Sequence, residues 1–305
     1  MKGTKAILGI DAAWTEAEPS GVALIQGEGA DWDLVCVAPS YDAFVAAGRG
    51  TPVDWNAERF DGSRPDVEQL LEAARALAAA EPCVVAVDMP MATVPITQRR
   101  TADSAISRTF GGRGCSTHSP SSARPGPLGA GLTSQLNAAG FPLATAAGLT
   151  EDLPRAIEIY PHPALLFLLR CDRRVPYKVA RSSRYWPGSS VTERISRLLH
   201  QFERIHGALG SVLRGSPLPL PSIERRLSRL KRFEDALDAL VSAWVGSCYA
   251  TGNASSYGDA TAAIWVPASS PEPGAARGRT AGRRSATPAP ATPRASAAAP
   301  PAPAR

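Results

Sequence analysis

Four aspartates stand in three short segments that lie far apart in the chain. Asp11 ends the apolar run ILGID, and Asp88 ends the apolar run VVAVD. Asp235 and Asp238 are three residues apart in the segment FEDALDALVSAW, whose pattern is helical. Residues at this spacing share a helix face, and apolar strands that end in aspartate bring their acids to one edge of a sheet. Carboxylates gathered in this way could hold Mg²⁺ or Mn²⁺ and activate water against a phosphodiester.

Hydrophobic patterns predict the elements that must position these acids. Strands are predicted at 5–11, 21–25, 32–38, 83–87 and 156–160, with 263–266 as a further edge strand. Helices are predicted at 67–80, 163–169, 191–206 and 233–249. In the last helix Ala239, Ala243 and Gly246 are small, which would let this helix approach a neighbour closely.

The order of these elements predicts an α/β fold. Short connections favour three antiparallel strands, after which two crossover units add parallel strands beside the first. This is a ribonuclease-H-like mixed five-stranded sheet flanked by helices, in which strands one and four are neighbours. Between strands four and five lies a long insertion at about 89–154, which is rich in Pro, Gly, Ser and Arg. Part of it is predicted to be helical, around Ser134 to Ala138, and its length indicates a functional segment.

Composition divides the chain into a domain at 1–267 and a tail at 268–305. The tail contains no Val, Leu, Ile, Met or aromatic residue. It cannot bury enough apolar surface to offset its ordering entropy, so we expect it to be disordered. The chain has 33 Lys and Arg against 28 Asp and Glu, a net charge of +5, and the tail's six Arg and one Glu carry the same excess of five. The domain is therefore near neutral.

Other features narrow the class of protein. The five cysteines are dispersed and form no C-x-x-C pair, which argues against a disulfide framework and against a zinc site. No apolar run approaches the length of a membrane span. The sequence therefore predicts a cytoplasmic protein without a membrane segment, and it leaves the oligomeric state open.

Several motifs together carry a resemblance to a known family. GIDAAW, VDMP, EIYPHP, FEDALDALVSAW and the late GD-x-x-x-AIWVP are similar to a widespread microbial family of unknown function that is regarded as ribonuclease-H-like nucleases. The helix pattern D-x-x-D-A also resembles Holliday-junction resolvases. That likeness implies that Asp11, Asp88, Asp235 and Asp238 are the catalytic and metal-binding acids. Resolvases usually have Glu where this chain has Asp88, and the shorter side chain could shift the metal.

Further candidates lie near these motifs. Glu158, in EIYPHP, is either an additional catalytic acid or a satisfied structural acid. His118 in the insertion and His162 between two prolines are weaker catalytic candidates. Lys178, Arg181, Arg184 and Trp186 combine cations with an aromatic ring, as surfaces that bind single strands do, although a solvated loop would look the same.

Three functions remain open on this sequence. The first is a nuclease that hydrolyses DNA or RNA by a two-metal carboxylate mechanism with Mg²⁺ or Mn²⁺. The second is a non-catalytic nucleic-acid-binding or scaffold protein on the same fold, which the near-neutral domain favours. The third is a phosphotransferase of the actin and sugar-kinase type, which would need a glycine-rich phosphate-binding turn that DAAWTEAEPSG does not provide.

Overall fold

The computed structural model describes residues 3–147, 153–215 and 218–270. Within these ranges the protein is an α/β fold with one mixed seven-stranded sheet and eight α-helices. The strands are β1 (Lys5–Asp11), β2 (Gly21–Glu28), β3 (Asp31–Ala38), β4 (Pro82–Asp88), β5 (Arg155–Ile159), β6 (Ala254–Gly258) and β7 (Ala263–Pro267). The helices are α1 (Tyr41–Gly48), α2 (Val67–Leu77), α3 (Thr101–Phe110), α4 (Pro127–Ala138), α5 (Pro161–Leu168), α6 (Ser182–Tyr185), α7 (Val191–Leu209) and α8 (Leu227–Ala250).

The strand order is β3-β2-β1-β4-β5-β7-β6. Strands β1, β2 and β3 pair antiparallel, and β4 and β5 follow parallel beside β1, as predicted. The predicted count of five strands is wrong, because β7 pairs parallel with β5 and β6 then pairs antiparallel with β7. The predicted strand β7 is therefore not the edge. The sequence of β6, ASSYG, has little intrinsic preference for a strand. Its hydrogen bonds to β7 stabilise the extended conformation instead.

Helix α8 lies directly on the sheet. A Cβ atom added at Gly9 of β1 would overlap backbone atoms of Ala239 and Ala243, and one at Gly21 of β2 would overlap the carbonyl of Asp235. The predicted close approach of the small-residue face is thus confirmed, and the sheet contributes glycines of its own. Contact between two backbones holds α8 at one height above β1, which fixes where its acidic side chains lie.

Helices cover both faces of the sheet, so side chains alternate between two cores. Ile7 of β1 packs with α5, α7 and α8 on one face, whereas its neighbour Leu8 packs with α1, α2 and α4 on the other. Helix α3 forms a third cluster with Ile264 and Val266 of β7. This double coverage explains why the central strands are almost wholly apolar up to their final aspartates.

The insertion after β4 is more ordered than its composition suggests. Its described part contains α3 and α4, and the predicted turn at Ser134 to Ala138 is the end of α4. Residues 148–152 of the insertion and 271–305 of the predicted tail lie outside the described residues. Within the tail, the Ala268 amide donates to the Asn253 carbonyl at 2.8 Å. No helix in the described ranges combines the length and the apolar character that a membrane span requires.

Candidate functional site

Three aspartates from three different elements meet at one edge of the sheet. Asp11 and Asp88 end the neighbouring parallel strands β1 and β4, and they stand opposite each other in the strand register. Asp238 reaches the same point from α8. One carboxylate oxygen from each residue lies within 4.8 Å of the other two. Asp11 and Asp88 are partly exposed and Asp238 is buried, so the group lies where the cluster meets solvent.

The fourth predicted acid, Asp235, stands beside this group and is already paired. It lies one helical turn before Asp238, and its negative charge raises the pKa of Asp11. Lys231, four residues earlier on α8, forms an ion pair with Asp235 and contacts Glu234 at 3.2 Å. The structure therefore places Asp235 next to the three-aspartate group, with an ammonium partner of its own.

A second lysine reaches the acids from the segment before α6. Lys178 forms ion pairs with Asp238 and, at 3.3 Å, with Glu234. Its neighbour Tyr177 donates a hydrogen bond of 2.5 Å to Oδ1 of Asp238, and the Val179 amide donates to Glu234 at 2.5 Å. Three consecutive residues thus bind the buried acids of α8, which fixes the height and direction of the Asp238 carboxylate.

The pKa values of the four aspartates are raised in spite of these partners. Loss of hydration, together with repulsion from Asp235, raises the pKa of Asp11 to about 7 even though Lys178 opposes the shift. Loss of hydration, and then the charge of Asp11, raises the pKa of Asp88 well above its usual range. The pKa values of Asp235 and Asp238 are each raised to about 6, again first by loss of hydration. Near pH 7 the ionised forms of Asp11 and Asp88 are therefore disfavoured, first because burial removes their hydration and then because neighbouring carboxylates repel them.

This donor set suits a hard divalent cation. Mg²⁺ and Mn²⁺ prefer carboxylate oxygens, and such an ion would stabilise the ionised forms of Asp11 and Asp88, which burial and then carboxylate repulsion disfavour. Lys178 shares the carboxylate of Asp238, so the ammonium group already neutralises part of the site. The side chains of Asp11, Asp88 and Asp238 therefore fit one ion at the strand ends.

Glu158 forms a buried ion pair with Arg100 outside the three-aspartate group. Arg100 binds it with both guanidinium nitrogens, at 2.5 and 2.7 Å, and the Met91 amide donates to it at 2.8 Å. Arg100 is also paired with Asp103 at 2.9 Å. The structure does not bring Glu158 into the three-aspartate group, and its contacts tie β5 to the segment that follows β4.

A cavity of about 540 Å³ opens over the acids. Lys178 and Arg181, two of the predicted nucleic-acid-binding residues, line it, as do both histidines, His118 and His162. The other two predicted residues are not in its lining. Arg184 is exposed on α6, and Trp186 packs beneath the guanidinium of Arg197, 5.7 Å from the ring centre. The cavity lining thus contains two of the four predicted residues.

Sequence reasoning missed several members of the site. Glu234 lies inside the motif FEDALDALVSAW and Lys231 two residues before it. Lys231 stands three residues from Glu234 and four from Asp235 on α8, and this spacing was a usable signal. Tyr177, Arg124 and Arg174 come from irregular segments, and no periodic pattern connects them to the acids. Only the fold brings Tyr177 to Asp238 and the two arginines to the cavity.

Comparisons with known proteins give one result. Neither the curated proteins nor the solved structures provided a match to this chain. A family profile does match it, over residues 9–262, and this range includes all four predicted aspartates. The chain therefore belongs to the family described as "Protein of unknown function (DUF429)".

Proposed function

We propose that the protein is a divalent-metal-dependent phosphodiesterase that acts on nucleic acid. The observation that carries this proposal is the convergence of Asp11, Asp88 and Asp238, with ligand oxygens within 4.8 Å of one another. Two rigid strand ends and one closely packed helix hold these side chains. Acids with raised pKa values in a cleft are typical of functional sites.

The arrangement of strands supports a ribonuclease-H-like assignment of the fold. Three antiparallel strands followed by two parallel ones, with acids at the ends of strands one and four, are the features that such nucleases use. Strands β6 and β7 extend that pattern. Because fold alone does not determine function, the proposal depends on the acids rather than on the topology.

The side chains of the site have separable roles in such a reaction. Asp11, Asp88 and Asp238 would hold Mg²⁺ or Mn²⁺, which supplies Lewis-acid activation of the phosphodiester and a lowered pKa for an attacking water. Tyr177 and Lys178 orient the Asp238 carboxylate through direct contacts. Lys178 also places a positive charge beside the acids, where it can attract an anionic phosphate.

A second candidate is a protein that binds nucleic acid without turnover. The observation in its favour is the internal neutralisation of the cluster, because Lys178 and Lys231 already form ion pairs with Asp238, Asp235 and Glu234. If these pairs persist in solution, a metal ion would have to compete with them. Calorimetric titration with Mn²⁺ separates the candidates, since the non-catalytic protein would bind none at millimolar concentration.

The test of the proposed activity is a digestion panel with Mg²⁺ or Mn²⁺. Branched, single-stranded, duplex and hybrid substrates are incubated with the wild type, Asp88→Asn, Asp238→Asn and the control Asp61→Asn. Asp61 is an exposed acid paired with Arg59 outside the cavity, so its replacement makes the same chemical change elsewhere. We expect cleavage by the wild type and the control only. Equal cleavage by all four proteins, or by none on any substrate, would refute the proposal.

A further inference from the structure

Part of the cavity lining is basic, and we call this part the basic wall. It consists of Arg124 and His118 from the insertion after β4, Arg174 and Arg181 from the segment between α5 and α6, and His162 at the start of α5. We propose that this basic wall is a binding site for one phosphate group. The proposal rests on the proposed function for the identity of the ligand, a nucleotide or strand end, but the site itself can be tested without any metal.

The three arginines converge without a carboxylate partner. In the described ranges, no carboxylate oxygen lies within 4.0 Å of any of the three guanidinium groups. Arg181 instead contacts Nε2 of His118 at 2.9 Å, and Arg124 lies over the ring of Trp14, 5.7 Å from its centre. Like charges held together in a partly dehydrated cleft repel one another, and an anion bound between them would relieve that repulsion.

Two buried polar atoms on this wall have no hydrogen-bond partner among the described residues. They are Nε of Arg174 and Nδ1 of His162. His162 is only 3% exposed, and the rings of Tyr160 and Tyr177 meet it edge-on, with centres 5.1 and 5.4 Å away. A buried polar atom without a partner is costly, so two of them in one cavity lining indicate a missing ligand.

The chemistry of the wall selects an oxyanion. Arginine presents several donors in a planar fork that matches phosphate oxygens. Burial and the nearby cations lower the pKa of His162 well below its ordinary value, so the imidazole is neutral and offers one N–H donor. Charged guanidinium donors and a neutral imidazole donor together suit an acceptor that carries negative charge on several oxygens.

The size of the cavity limits what can carry the phosphate. A volume of about 540 Å³ is in the range that encloses one small molecule, which is about one nucleotide rather than a duplex. Asp11 and Asp88 line the same cavity, so a phosphate on the basic wall would share that cavity with two of the three aspartates. This places the scissile bond of a flexible single strand, or of a small phosphodiester, next to its anchoring phosphate.

The experiment measures binding in EDTA at pH 6, where the acids are partly protonated and no turnover occurs. The probes are inorganic phosphate and two thymidine pentanucleotides, one with a 5′-phosphate and one with a 5′-hydroxyl. The proteins are the wild type, Arg124→Gln, Arg181→Gln, the double variant Arg174→Gln/Arg181→Gln and the control Arg225→Gln. Arg225 is exposed on the surface outside the cavity.

We expect the wild type and Arg225→Gln to bind all three probes, and each cavity substitution to weaken binding about tenfold, the effect of one charge-assisted hydrogen bond. Tighter binding of the 5′-phosphorylated strand assigns the site to a terminal phosphate, and equal binding assigns it to an internal diester. Arg124 is exposed and can be replaced without loss of folding, so its variant keeps the test valid if the double variant unfolds.

Three results would overturn the proposal: no saturable binding by the wild type, unchanged binding by the cavity variants, or equal weakening by Arg225→Gln. These outcomes are distinct from failure of the proposed function. A protein without the phosphate site could still cleave with metal, and a protein without nuclease activity could still bind phosphate in EDTA.

Discussion

Replacement of Asp11 by Asn should make the metal-free protein more stable. Asp11 shares the sheet edge with Asp88 and Asp238, and loss of hydration and repulsion from Asp235 raise its pKa to about 7. At pH 8 the folded protein must carry this carboxylate in its ionised form. Asparagine has nearly the same shape without the charge, so the substitution removes the penalty and leaves the packing in place.

The size of the effect follows from the shift in the pKa of Asp11. A rise from 3.8 to about 7 corresponds to a ceiling of about 4 kcal/mol, at about 1.4 kcal/mol for each pKa unit. Asp11 is partly exposed and shares its repulsion with Asp235, so we expect a gain of roughly 1–2 kcal/mol after solvent screening. For a domain of this size that is an increase of about 3–6 °C in melting temperature.

The sign of the pH dependence follows from linkage. Because folding raises the pKa of Asp11, the folded state binds its proton more tightly than the unfolded chain does. The destabilisation is absent below the unfolded pKa, near 4, grows between pH 4 and pH 7, and is complete above pH 7. The free energy of unfolding of Asp11→Asn should therefore exceed that of the wild type most at pH 8. At pH 5 the difference should be less than half as large.

The assay is thermal unfolding in EDTA across this pH range, with Asp61→Asn as the matched control. Excess Mn²⁺ should reverse the order of stabilities, because an ion that binds only the folded wild type adds about 2.7 kcal/mol at 100 times its Kd. If Asp11→Asn melts at or below the wild-type temperature in EDTA at pH 8, the carboxylates do not repel one another and the reasoning fails.

Three further predictions concern the frame of the site and the chain boundary. Gly9→Ala should lower the free energy of unfolding by about 1–3 kcal/mol and lower the Mn²⁺ affinity, because the new Cβ meets the backbone of α8. Chemical denaturation should show no such loss for the control Gly131→Ala, whose added Cβ would enter open space. Glu158→Gln should lower the melting temperature but leave the calorimetric Mn²⁺ stoichiometry unchanged, since its charge pairs with Arg100; a lost Mn²⁺ site would instead make Glu158 a ligand. A protein that ends at Pro267, the predicted end of the domain, should keep its melting temperature and its turnover at saturating substrate, and should bind nucleic acid more weakly mainly at low salt. Insolubility of the shortened protein would contradict the proposed boundary.

The convergence of the strand-end aspartates could be predicted because local signals and global topology agree. An apolar run that ends in Asp places the acid at the end of a buried strand, and adjacent parallel strands bring Asp11 and Asp88 together. The spacing of Asp235 and Asp238 and the small residues on the same helix predicted a close contact with the sheet. Each of these inferences depends on periodicity, which a single sequence displays.

The remaining part of the site depends on contacts that periodicity does not encode. Lys178 and Asp238 are sixty residues apart, and Lys178 lies in an irregular segment. The same holds for Arg100 and Glu158, whose pairing assigns Glu158 to a buried ion pair outside the three-aspartate group. Helix α1 was missed although Ser40 is a good N-cap, with its side chain accepting from the Ala43 amide, because eight residues give little helical pattern.

The distribution of lysines explains where a cation would be required. Asp238 has Lys178 as a direct partner, and Asp235 has Lys231. Neither Asp11 nor Asp88 forms an ion pair with a residue in the described ranges, and these two acids have the more strongly raised pKa values. The two carboxylates of the group that have no ion-pair partner in the described ranges are therefore the ones at the strand ends. A cation bound there would be held by Asp11 and Asp88 from the strand ends and by Asp238 from α8, whose carboxylate Tyr177 and Lys178 already orient.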